Sequence, residues 1–234
     1  MNENFKLLVD VESGLNDVFS GLAYNIDFFY KNRLNYKNLH FTSKYGDLNE
    51  YFNIDKIKYI ENPNVDEYSF ISVFCSGHDT NLNYSNDRHI SNFIKVKDEI
   101  KKDFKSYEDY IAVHFRFMDL ENGKSIEDSE LNLYIDSFFK RYKKNEKYLI
   151  FSDSVVIGNK LNNIEDNIEL VLPEIDLNVG GGGQKIEKRK KFLYKTILDL
   201  YSMSTCRAIY RTKGRFVYST KIFNKHSIIR NLME

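Results

Sequence analysis

The stretch "YEDYIAVHFRFMDLENGK", residues 107–124, runs from a buried strand straight into a cluster of charge. Tyr110, Ile111, Ala112 and Val113 are apolar, and His114, Arg116 and Asp119 follow with Phe115, Phe117 and Met118 among them. Side chains alternate faces along a strand, so His114 and Arg116, two residues apart, share one face. A guanidinium at a rigid strand end suits a phosphate, being planar, always charged and matched to two oxygens at once. A neutral imidazole beside it can hydrogen-bond a base or a leaving phosphate, or serve only as a satisfied core histidine. Asp119 either orients the guanidinium or is simply exposed.

Outward from this strand, apolar runs alternate with stretches of helical period. Strands are expected over 5–11, 68–77, 147–154, 168–173 and 208–213, and helices over 16–32, 90–104, 127–144 and 189–206. Further helices are expected to open near 155 and 216. Strands separated by helices argue for parallel sheets with right-handed crossovers, an α/β protein. The strands at 110–115, 147–151, 168–172 and 208–212 are expected side by side in one sheet. The polar segment 33–67 shows no pattern that places its elements. The run "VGGGGQK", 179–185, is a flexible linker, or else a lid or a backbone cradle for phosphate.

Ligands of open parallel sheets bind beyond the carboxyl ends of the strands. Three polar clusters follow strands here: "HFRFMD", "SDS" at 152–154 and "TKGRF" at 212–216. The topology would gather them along one rim.

Composition narrows the alternatives. Lys plus Arg and Asp plus Glu both number 34, so the chain lacks the basic excess of a general nucleic-acid binder. Cys75 and Cys206 lie far apart without metal-ligand spacing, and read as buried free thiols. No apolar run approaches a membrane span and no signal pattern opens the chain, so a soluble, cytoplasmic protein is expected. No phosphate loop, dinucleotide fingerprint, His-Glu-x-x-His or G-x-S-x-G motif occurs.

In "YIAVHFRFMD" the chain resembles the inverting GDP-fucose-dependent fucosyltransferases, the superfamily of α-1,2, α-1,6 (including nodulation) and protein O-fucosyltransferases, with its His-x-Arg-Arg-x-Asp signature. The later motifs follow in order. "KYLIFSDS" is similar to the strand ending in Thr/Ser-Asp-Asp, with Ser152 and Asp153 in place, and "ILDLYSMSTCRAI" puts Asp199 at the family's acidic helix position. "RTKGRF" stands where the family has a Ser-rich loop, Phe117 stands at the second signature Arg, and "ESGLNDVFSGLAYNIDFFY" looks like a reduced Gly-rich turn into a long helix. The match covers about 90–225 in order and 7–30 loosely.

The resemblance implies a GT-B-like fold: two Rossmann-like domains with mostly parallel sheets, facing across a cleft, the N-terminal one reduced. Residues 1–105 would form the acceptor-side domain and 106–234 the nucleotide-sugar domain. It implies inverting transfer of fucose from GDP-fucose to a hydroxyl of a glycan or protein acceptor, without a metal or other cofactor. By the same resemblance Arg116 holds the diphosphate, His114 lies near guanine and the leaving phosphate, and Asp199 accepts from the guanine N1 and amino group. Asp119, Ser152, Asp153, Thr212, Gly214 and Arg215 would complete the nucleotide site. Glu12 or Asp17 would be the general base. A transferase using another nucleotide sugar, a silent nucleotide- or glycan-binding protein of the same fold, and a purely structural α/β domain stay open at this point.

Overall fold

In the computed structural model the chain divides into two compact units, Met1–Phe104 with Lys221–Lys225, and Lys105–Thr220 with His226–Glu234. The structure describes residues 5–11, 15–43, 45–54, 57–73, 90–116, 118–119, 124–125, 128–152, 156–161, 166–171, 186–212, 214 and 216–234. Both units are built on parallel sheets, the α/β, GT-B-like class expected from the sequence.

In the first unit, β1 (Leu7–Val11) leads into α1 (Leu15–Lys31), whose Val18, Phe19, Leu22, Ile26 and Phe29 recur at helical spacing and are all buried. Then follow β2 (Leu39–Ser43), β3 (Phe52–Ile54), β4 (Lys58–Tyr59) and β5 (Phe70–Val73). The sheet runs β4-β2-β1-β5, every neighbour parallel. The segment 33–67, unreadable by pattern, thus supplies three strands and short 3-10 turns at Tyr36–Asn38, Leu48–Glu50 and Val65–Glu67.

The expected helix 90–104 is corrected. It is a helical turn α2 (Ile90–Phe93), a strand β6 (Ile94–Val96) and a turn α3 (Asp98–Lys101). β6 pairs antiparallel with β3, Ile94 opposite Ile54 and Val96 opposite Phe52. All four side chains are buried. Alternation within "IKV" fits a half-buried strand as well as a helix face, and the partner strand decides between them.

The second unit begins with β7 (Tyr110–Phe115), followed by the short antiparallel pair β8 (Met118–Asp119) and β9 (Lys124–Ser125). Then come α4 (Asp128–Arg141), β10 (Lys147–Ser152), α5 (Val156–Leu161), β11 (Ile168–Val171), α6 (Ile186–Thr205), β12 (Ala208–Arg211) and β13 (Ile229–Asn231). The sheet order is β11-β10-β7-β12-β13, all parallel, so the four strands expected together do lie together. β7 and β10 are buried on both faces, which is why they read as unbroken apolar runs. Val113, Phe115, Tyr148 and Ile150 pack in one core with Leu131, Tyr134 and Phe138 of α4 and Ile157 and Leu161 of α5. Leu193, Ile197, Leu200 and Met203 form the buried stripe of α6. Two elements near the C-terminus differ from expectation: residues Phe216–Ile222 form a 3-10 helix rather than an α-helix, and β13 has no counterpart in the sequence reading. The glycine run 179–185 lies outside the described residues.

Candidate functional site

The carboxyl ends of β7 and β12 build the site. These strands pair with Ala112 opposite Ile209 and His114 opposite Arg211, while β10 sets Phe151 opposite His114. Residues opposite one another in a ladder leave the same face, so His114 and Arg211 stand side by side. Ser152, paired with Phe115, falls on the other face. Ser152 therefore reaches the same end of the sheet but not the same side.

The turn after β12 is tied back to β7 by a reciprocal pair of bonds. The Thr212 N–H donates to the His114 carbonyl at 3.2 Å, and the Arg116 N–H donates to Thr212 Oγ1 at 3.0 Å. Thr212 is buried, so its hydroxyl satisfies a backbone donor that the ladder no longer reaches. Gly214 follows with φ +79°, a conformation that side chains with a Cβ resist. A methyl group there would stand 2.9 Å from Arg116 Cδ and 3.1 Å from Arg116 Nη1. The bare glycine lets the Arg116 side chain lie against the loop backbone.

His114 is 6% exposed, its ring 5.1 Å from that of Phe216, and its Nδ1 has no hydrogen-bond partner among the described residues. Burial, reinforced by the charges of Arg116 and Arg211, lowers its pKa to about 3, so it is a neutral imidazole. Arg211 was not picked out in the sequence. "AIYR" places it on the last strand position, as "AVHFR" places Arg116 beyond its own strand end, and that parallel was the available signal. Its Nη1 donates to the Gly214 carbonyl at 2.9 Å.

Asp199 sits on α6 and is engaged by Lys195, whose Nζ donates to both carboxylate oxygens at 3.0 and 3.1 Å. Burial raises the Asp199 pKa, and Lys195 offsets this only in part. Lys195 is not among the residues singled out from the sequence, although the i,i+4 spacing in "KTILD" is the signal for such a pair. Asp17 lies in the first unit, in the first turn of α1, 5% exposed and with Oδ1 shielded from solvent. Glu12, Asp153, Arg215 and the side chain of Asp119 lie outside the described residues. So does Cys75, while Cys206 is a buried free thiol pushed up to about 12 by burial. Among the described residues no group of three His, Cys, Asp or Glu side chains is placed to hold a metal, and no helix is long and apolar enough to cross a membrane.

Two arginines and a buried histidine at the ends of parallel strands invite comparison with solved structures. The NodZ α-1,6-fucosyltransferase soaked with GDP-fucose superposes with a TM-score of 0.61 over 93% of this chain and 92% of that one, at 15% identity. The chain has the fucosyltransferase fold. The Bradyrhizobium NodZ structure agrees, with a TM-score of 0.61 at 14% identity over the same shares of the two chains. A variant of Arabidopsis thaliana FUT1 in complex with GDP matches at a TM-score of 0.53 and 8% identity, covering 91% of this chain and 67% of that one. No family model and no curated protein sequence matches the chain.

Proposed function

We propose that the chain is an inverting glycosyltransferase that moves fucose from GDP-fucose to a hydroxyl of a glycan or protein acceptor. The observation that carries this reading is neutral His114 at the end of the central strand with the guanidinium of Arg116 just beyond it, the Arg116 side chain lying against Gly214. The fold shared with fucosyltransferases supports it. In this reading residues 106–234 form the nucleotide-sugar domain and 1–105 the acceptor-side domain.

The barrier of such a transfer lies in expelling a diphosphate while positive charge grows on the sugar. A fixed guanidinium stabilises the departing charge without reorganising, an effect of a few kcal/mol, about the size lost with one oxyanion-hole donor. Arg116 has that role, and Thr212 and Gly214 hold its backbone and side chain in place. Since a guanidinium can carry the leaving-group charge, the reaction is read as metal-independent, and a chelator should leave the rate unchanged. His114, uncharged, directs a hydrogen bond rather than a proton. Asp199 accepts from the guanine N1 and amino group, two parallel donors facing two acceptors. The present Lys195 pair must then open or share the carboxylate. Phe117 at the second signature Arg and Lys213-Gly214-Arg215 in place of the Ser-rich loop favour one second reading, a nucleotide-binding protein without turnover.

Measuring GDP release from GDP-fucose alongside GDP and ADP binding separates these. Arg116→Lys keeps the charge but loses the two-toothed grip, and should lower turnover more than about tenfold, roughly 1.4 kcal/mol in the barrier. Asp199→Asn should remove the preference for GDP over ADP. Normal turnover in Arg116→Ala would overturn the assignment of Arg116. Equal binding of GDP and ADP by the unaltered protein would overturn that of guanine.

A further inference from the structure

Two guanidinium groups, one from the last residue of β12 and one from the residue just after β7, converge on Gly214. Arg211 donates through Nη1 to the Gly214 carbonyl at 2.9 Å, and its plane lies over the Tyr218 ring, 5.3 Å from the centroid. Arg116 approaches the same glycine through Cδ and Nη1, close enough that a Cβ would collide with it. Among the described residues no carboxylate pairs with either cation. The Nε of Arg211 is buried and has no acceptor among the described residues. On the same face, His114 Nδ1 is also buried without a partner among the described residues.

This arrangement is unfavourable as it stands. Like charges are held against one residue, and among the described residues a buried N–H of a permanently charged group has nothing to donate to. Both costs are removed by one anion that carries several oxygens. A guanidinium fork matches phosphoryl oxygens in plane, and two forks set around one glycine match two linked phosphoryl groups. We propose that Arg211 is a second diphosphate-binding residue, donating through Nε to a phosphoryl oxygen beside the grip of Arg116. The carbonyl of Gly214 and the Tyr218 ring hold Arg211 in position for this. The identity of the nucleotide that brings the diphosphate rests on the function proposed above, but the diphosphate itself does not.

A purely structural Arg211 would pin the 212–218 segment and nothing more. The two roles separate at the Nε–H. In a proton–nitrogen correlation spectrum of the arginine Nε–H groups, the Arg211 signal is identified by its absence in Arg211→Lys. Inorganic pyrophosphate and GDP should each shift that signal in the unaltered protein and slow its exchange with water, whereas guanosine should not. Arg211→Lys should weaken pyrophosphate and GDP at least tenfold and leave guanosine binding unchanged. An Arg211 signal unmoved by saturating pyrophosphate overturns the proposal, as does a failure of the protein to bind pyrophosphate, or undiminished pyrophosphate binding by Arg211→Lys. A shifted signal with equal affinity for GDP and ADP supports Arg211 and removes guanine specificity instead.

Discussion

His114 lies on the face of β7 that also faces Arg211, and its pKa is lowered from 6.5 to about 3, first by burial and then by the charges of Arg116 and Arg211. The sign of the consequence is set by where the proton goes. Below 6.5 the unfolded chain takes a proton that the folded chain refuses, so the contribution of His114 is fully present above pH 6.5 and is lost as pH falls toward about 3. The slope from this one group approaches about 1.4 kcal/mol per pH unit. His114→Gln cannot titrate, so urea unfolding between about pH 6.5 and 5 should show the variant losing about 2 kcal/mol less stability than the unaltered protein. Equal losses in the two proteins would mean that His114 is protonated in the folded state. At this scale the sequence was informative where residue order suffices. The apolar run 110–113 marks β7, and His114 at its end with Arg116 just beyond it follows from the order of the residues. Arg211 needed the register of two strands nearly a hundred residues apart, which no local period reports.

The element that the sequence conceals, β13, completes the sheet of the second unit. "HSIIRN" is short, half exposed and without an alternating pattern, as befits a strand with a neighbour on one side only. The residue after it is nevertheless deep in the core. Leu232 is 1% exposed and packs with Val113, Phe138 and Tyr148. Its N–H donates to the Arg211 carbonyl at 2.7 Å, and its carbonyl accepts from Arg141 Nε at 3.0 Å. Leu232→Ala should therefore cost about 2–5 kcal/mol, the usual range for a fully enclosed leucine, seen as a lower urea midpoint of unfolding. Because Leu232 anchors the carbonyl of the residue that ends β12, the same variant should also weaken GDP binding. An unchanged midpoint would show the terminal segment to be dispensable. By contrast α4 and α6 were legible, since their buried residues recur every three or four positions. The expected helix 90–104 failed because "IKV" has too few residues to distinguish the two periods. Its partner, Phe52–Ile54, lies in a stretch with no readable pattern.

Across the whole molecule, each unit carries its own parallel sheet, and the proposed nucleotide site is contained in the second. Saturating GDP, at about 100 times its dissociation constant, should add about 2.7 kcal/mol to the stability of the state that binds it. Hydrogen exchange shows where that stabilisation goes. Amides in 110–116 and 208–220 should slow on adding GDP, and those in 36–60 should not. Protection confined to 36–60 would place the nucleotide in the other unit. What the sequence by itself determined is the α/β class and the place of Arg116. Strands covered on both faces are written as unbroken apolar runs, helices as three-to-four spacing, and a charged residue after such a run must emerge at a strand end. What only the tertiary structure decided depends on contacts between distant segments: the pairing of β6 with β3, the passage of 221–225 into the first unit, and the meeting of Arg116 with Arg211 at Gly214. Local period records which side of an element is buried, but not which segment covers it. That Arg211 stands beside His114 is therefore visible only once β12 lies beside β7.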